Sequence, residues 1–140
     1  MKLNLLKSSI LALITIFTIS CSKNEDKPAE TVLPVTKATI VLKKTNGDFV
    51  SGITVYAYDQ SKWGVTGDNP TFANGQAASD ANGNAVFSNI EYTNVFNDLN
   101  NNQNNFRFSA HYNLNGISKK KVAAITFNKG EQKTETIILD

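Results

Sequence analysis

Asn-Gly pairs at 46–47, 82–83 and 115–116 separate short runs in which apolar and polar residues alternate. Asn and Gly enter φ > 0 at little cost, which suits a tight hairpin and has no use inside a helix. Lys129-Gly130 adds a fourth turn signal. From Lys37 onward no window keeps a helical period, whereas alternation and β-branched runs recur. These patterns predict strands over 37–44, 53–58, 76–80, 84–90, 106–113, 117–127 and 132–139. Seven short strands joined by turns predict an all-β, seven-stranded antiparallel β-sandwich over 37–140.

Strand spacing and turn frequency are those of an immunoglobulin-like sandwich. Period-2 alternation assigns the faces. Phe106, Phe108, Ala110 and Tyr112 form one row, expected in the core; Arg107, Ser109 and His111 form the other. Ile40, Leu42, Ile53, Val55, Ala57, Ala85 and Phe87 are expected inward, with Ile90 closing a strand end and Tyr56 and Tyr58 outward. The last strand stays ambiguous across Ile137, Ile138 and Leu139. If every strand crosses the sandwich, chain direction alternates. The long connections 59–75 and 91–105 then share one end with the 128–131 turn and the entry to the first strand. The Asn-Gly turns share the other end.

The N-terminus has a different character. Lys2 and Lys7 precede an almost wholly apolar run from Ile10 to Ile19, the pattern of a secretory signal and too short to span a bilayer. Removal of 1–20 as a signal peptide takes two of the 14 basic residues and none of the 12 acids, leaving 12 against 12. A neutral exported chain has no electrostatic case for nucleic acid. Thr18-Ile19-Ser20-Cys21 resembles the lipobox of bacterial lipoproteins, and Cys21 is the chain's one cysteine. The resemblance implies a diacylglyceryl thioether and an acylated amine on Cys21. Two or three acyl chains hold a protein at a membrane where a single chain holds only marginally. Residues 21–36 read as the lipidated Cys and a flexible tether. Ser22-Lys23-Asn24-Glu25-Asp26-Lys27 is similar to the acidic signals of lipoproteins sent to the outer face of the outer membrane, and reads equally as a solvated linker. The expected location is the outer membrane, lipid-anchored, facing the cell surface or the periplasm.

Two stretches carry a fold resemblance. Residues 46–56, NGDFVSGITVY, resemble the opening of carboxypeptidase-regulatory-like domains, and 79–90, SDANGNAVFSNI, resemble their following hairpin. These domains are transthyretin-like sandwiches related in shape to the B-type repeats of collagen adhesins. The resemblance implies that fold and says little of activity, because the matched residues are turn formers and core.

Chemistry-bearing residues are sparse. One Cys excludes an internal disulfide framework and a Cys-built zinc site, and one His excludes a poly-His centre. His111 has Arg107 on its face and no acid on its own strand to orient it, so no catalytic triad is expected and the chain is read as non-enzymatic. The purine-breakdown hydrolase that shares the transthyretin-like fold uses several His residues, so its activity does not carry over. An adhesin-type isopeptide bond from Lys37 or Lys43 finds no Asn on the last strand, and Glu91 lies at a loop start. Asp98-Leu99-Asn100-Asn101-Asn102 spaces oxygens as a calcium loop does, but lacks the glycine and the closing acid, so it reads as a polar loop. No cofactor and no metal are expected. Lys119-Lys120-Lys121 reads as protection of a sheet edge. In the long connections, Phe72 and Phe96 are expected to pack over the sandwich end, while Trp63 is left open between packing and stacking. Trp63 and Tyr92, with Asp68, Asn69, Asp98 and Asn100 as hydrogen-bonding partners, form the candidate ligand site. The expected role is a binding, adhesion or accessory module of the cell envelope. Alternatives are a glycan-binding accessory of an uptake system, or a structural component of an envelope assembly.

Overall fold

The computed structural model describes residues 34–92, 95–96 and 102–140. The signal segment, Cys21, most of the tether, Asp98 and Asn100 lie outside the described residues. In chain order the elements are β1 (Lys37–Lys44), β2 (Thr54–Asp59), α1 (Gln60–Thr66), a 3₁₀ turn (Pro70–Phe72), β3 (Gly75–Ala78), β4 (Asn84–Phe87), β5 (Gln103–Leu114), β6 (Ile117–Asn128) and β7 (Gln132–Leu139).

The strands form two sheets, one of three strands in the order β4-β1-β7 and one of four in the order β3-β2-β5-β6. An all-β sandwich of seven strands is therefore observed. The fully antiparallel expectation needs correction, because β1 and β7 pair in parallel, with Lys37 opposite Gln132 and Lys44 opposite Leu139. The reason is parity. When direction reverses at every connection, strands an odd number apart run oppositely, as in β1–β4, β2–β3, β2–β5 and β5–β6. Strands six apart run together, so placing the last beside the first forces a parallel pair.

The core is the layer between the sheets. Ala38, Ile40, Leu42, Val55, Ala57, Ala85, Phe106, Phe108 and Ala110 are all buried, as their alternation predicts, and Ile90 closes one end. Phe87 packs 5.2 Å from Phe108, and Phe106 meets Phe127 edge-on at 5.8 Å. Each buried side chain of this size contributes roughly 1.5–3 kcal/mol. In β7 the inward residues are Ile137 and Leu139, and Ile138 is exposed. Gly83, at φ +74°, lies in the connection that carries the chain from β3 in one sheet to β4 in the other, against β1, where a Cβ would fall 2.5 Å from the Leu42 carbonyl oxygen.

The 59–75 connection, the residues that follow β4 as far as Tyr92 and the 128–131 turn share one pole, and that pole is stitched to the start of β1. Glu91 accepts from the backbone N–H and hydroxyl of Thr36 at 2.8 and 2.7 Å, while the Thr36 hydroxyl accepts from the Gly130 N–H at 2.6 Å. Glu91 is thus committed to this stitch, and the packed body already includes the fully buried Thr36. Burial would raise the Glu91 carboxyl, but the hydrogen bonds from Thr36 outweigh it and hold it below its ordinary value.

Three expectations change at this pole. The 59–75 connection is folded, with a helix and a 3₁₀ turn. Tyr58 faces away from the inter-sheet core as expected, yet it is fully buried, because α1 and the following loop cover that face. Phe72, expected as part of a lid, is 48% exposed, whereas Phe96 is buried against Phe106.

Candidate ligand-binding surface

The 60–73 excursion is held shut by Asp59 and Asn74. The Asp59 N–H donates to the Asn74 side-chain oxygen at 2.9 Å, and the Asn74 amide donates to the Asp59 carboxylate at 2.7 Å. Asp59 also caps α1 by accepting from the Lys62 N–H at 2.7 Å, the ordinary use of Asp at a helix start. Gly67, at φ +61°, ends the helix. Between these stops α1 carries Trp63 edge-on to Tyr58, with ring centroids 5.4 Å apart, and the Arg107 guanidinium lies 6.0 Å from the Trp63 ring. Trp63 remains half-exposed.

The loop after α1 delivers Asp68 onto the outer face of the four-stranded sheet. Its side chain is 5% exposed. Asp68 accepts from the Ser109 hydroxyl at 2.8 Å and the Tyr58 hydroxyl at 3.3 Å. His111 Nε2 lies 3.0 Å from its Oδ1, and Lys120 Nζ lies 3.2 Å from its Oδ2. Burial alone would raise the Asp68 carboxyl; the hydrogen bonds from Ser109, His111 and Lys120 outweigh it and hold it below its ordinary value. Tyr58 is raised instead, first by burial and then by the Asp68 charge. Tyr56 meets the His111 ring edge-on at 5.1 Å. The result is a charge-compensated cluster with a half-exposed aromatic on either flank.

An acid for His111 is therefore present, supplied from a loop rather than from its own strand. Proximity of Ser, His and Asp does not make a triad here. In a triad the acid holds one imidazole nitrogen and the serine faces the other. In this cluster the same nitrogen, Nε2, faces both Asp68 and Ser109, the latter at 3.1 Å. The Ser109 hydroxyl is bonded to Asp68 and is fully buried. The Ser109 proton is committed to Asp68 and its hydroxyl is closed to solvent, so this geometry orients and holds the cluster and is not that of a triad.

The remaining sequence candidates separate. Asn69 accepts from the Thr71 N–H at 3.2 Å and so caps the 3₁₀ turn. Tyr92 packs on Phe106 at 6.4 Å, and its hydroxyl lies so close to Gly75 that no side chain fits there. Burial and the nearby Asp59 push the Tyr92 phenol up to about 12. Tyr92 lines an open depression with Lys62, Asn74 and Glu91, on a different face of α1 from Trp63. The structure therefore brings Trp63 and Asp68 together but not Tyr92. Lys43, weighed for an isopeptide bond, sits 4.8 Å from the Phe49 ring centroid. Among the described residues no group of His, Cys, Asp and Glu could hold a metal ion.

Ser109, His111, Lys120 and Tyr56 complete the cluster and were absent from the sequence candidates. Ser109 and His111 share one face of β5, which alternation does show. Lys120 enters by standing opposite His111 in the β5–β6 register, which it does not. No family model matches the chain, and no curated protein matches it in sequence.

Proposed function

We propose that this chain is a lipid-anchored, non-catalytic binding module of the bacterial outer membrane, and that it recognises a glycan on the outer face of the four-stranded sheet beside α1. The observation that carries the reading is the half-exposed Trp63 held edge-on against Tyr58, next to the fixed Asp68–His111–Lys120 cluster. A rigid aromatic face beside preorganised polar groups suits a sugar ring, which offers C–H surface and hydroxyls together. Anchoring through Cys21 rests on the lipobox-like sequence. Among the described residues no helix is long and apolar enough to cross a membrane. A transthyretin-like identity for the sandwich rests on the two motif stretches, which run from the β1–β2 turn into β2 and from the β3–β4 turn through β4, the second stretch crossing between the sheets.

Two measurements on the native protein test the two halves of the reading. Mass spectrometry is expected to find Cys21 as the lipidated N-terminus; a free thiol behind an intact leader would overturn the anchor. A glycan array probed with the native protein is expected to give signal that Trp63→Ala abolishes. Signal absent from the native protein, or unchanged in the variant, would overturn the site.

A further inference from the structure

At the pole opposite α1 the core stays open between the sheets. Val50, Ile53, Tyr112, Leu114 and Leu139 wall a cavity of about 380 Å³. That is about two and a half times the ~150 Å³ apolar cavity that takes up one benzene. Water in such a space finds few partners, so an apolar occupant gains by displacing it.

Most of the polar side chains that line it are already engaged, the Tyr112 hydroxyl donating to the Asp140 carbonyl at 3.3 Å. The Asp140 carboxylate is held by Lys121 at 2.7 Å and by the Thr45 hydroxyl at 3.3 Å. The Asn46 side chain is closed on Asp48, donating to its carboxylate at 2.8 Å and accepting from its N–H at 3.1 Å. Lys44 lines the same cavity and, among the described residues, makes no ion pair. An apolar pit with one unmatched ammonium at its rim is complementary to a molecule with an apolar body and a single negative end.

We propose that this cavity binds a small amphipathic monocarboxylate, with its ring or short chain between the sheets and its carboxylate on Lys44. The site is independent of the α1 surface, since none of its lining residues belongs to that cluster.

Titration of 4-phenylbutanoate into the full chain in nanodiscs, followed by methyl NMR, tests this. Saturable shifts are expected at Ile53, Leu114 and Leu139, with Val65 on α1 unmoved. Lys44→Gln is expected to weaken binding about tenfold, close to 1.4 kcal/mol. The uncharged 4-phenylbutanamide is expected to bind the native chain no better than the acid binds Lys44→Gln. Leu114→Trp, which fills the pit, is expected to abolish binding. Absence of saturation, equal affinity for acid and amide, or shifts at Val65 instead would overturn the proposal. Lys44→Gln and the amide decide the matter even where Leu114→Trp fails to fold.

Discussion

Asp68 takes donors from three strands onto two carboxylate oxygens: Tyr58 from β2, Ser109 and His111 from β5, Lys120 from β6. Replacement by Asn keeps the shape, halves the acceptor capacity and turns an N–H₂ toward groups that themselves donate. Loss of a buried charge-assisted network member costs about 1–3 kcal/mol. Asp68→Asn is therefore expected to lower the unfolding free energy measured by urea titration at pH 7 by that amount. The pH dependence has a fixed sign. The folded carboxyls of Asp68 and Glu91 both lie below their ordinary values. Their stabilisation is complete above the unfolded carboxyl range, at about pH 4–4.5, and is lost as pH falls through the folded values. Urea midpoints measured from pH 6 downward are expected to drop below about pH 4.5, and to drop less steeply in Asp68→Asn and in Glu91→Gln. A native profile flat to pH 3 would show that neither carboxylate is linked to folding.

At the scale of elements, β6 is the twelve-residue edge of the larger sheet. The register puts Lys119, Lys121, Ala123, Ile125 and Phe127 in one inward row, opposite Tyr112, Ala110, Phe108, Phe106 and Asn104. That row changes from apolar to cationic toward the Asn-Gly pole, where Lys121 reaches across to Asp140 beyond β7. Inward charges on an edge strand prevent a second chain from adding to it. The double variant Lys119→Val/Lys121→Val is expected to associate with rising concentration in sedimentation velocity, where the native protein does not. Association of the native protein would favour an assembly role through this edge instead. The lysine run was legible in sequence as an edge signal because three charges interrupt an otherwise apolar strand. Strand positions were equally legible, since alternation and Asn-Gly turns are local. Helix α1 was missed because seven residues containing Gly64 carry no amphipathic period; the one cue was Asp59 as a cap. Tyr58 was placed on the correct face but not recognised as buried, because period 2 assigns a side and cannot say what covers it. Asp68 was singled out as a candidate, while its partners, 10 to 43 residues away along the chain apart from Lys120, are set by register.

For the whole molecule, the parallel β1–β7 pair joins the first strand of the sandwich to the last along eight registered positions. β1 is the central strand of its sheet, so β7 supplies one of its two hydrogen-bonded neighbours, while Ile137 and Leu139 reach into the core. Removing both side chains alone forfeits roughly 3–6 kcal/mol, against a total stability of about 5–15 kcal/mol for a domain. The exposed backbone of β1 and the uncovered Phe127 ring add to the loss. A chain shortened to end at Gly130 is therefore expected to show no cooperative thermal transition. The Ile137→Ala variant is expected to keep one, with stability lowered by about 2–5 kcal/mol. Differential scanning calorimetry separates these cases. A sharp transition in the shortened chain would mean that the other sheet and α1 form a folding unit by themselves, and that closure of the sandwich by its terminal strands is not what makes it cooperative.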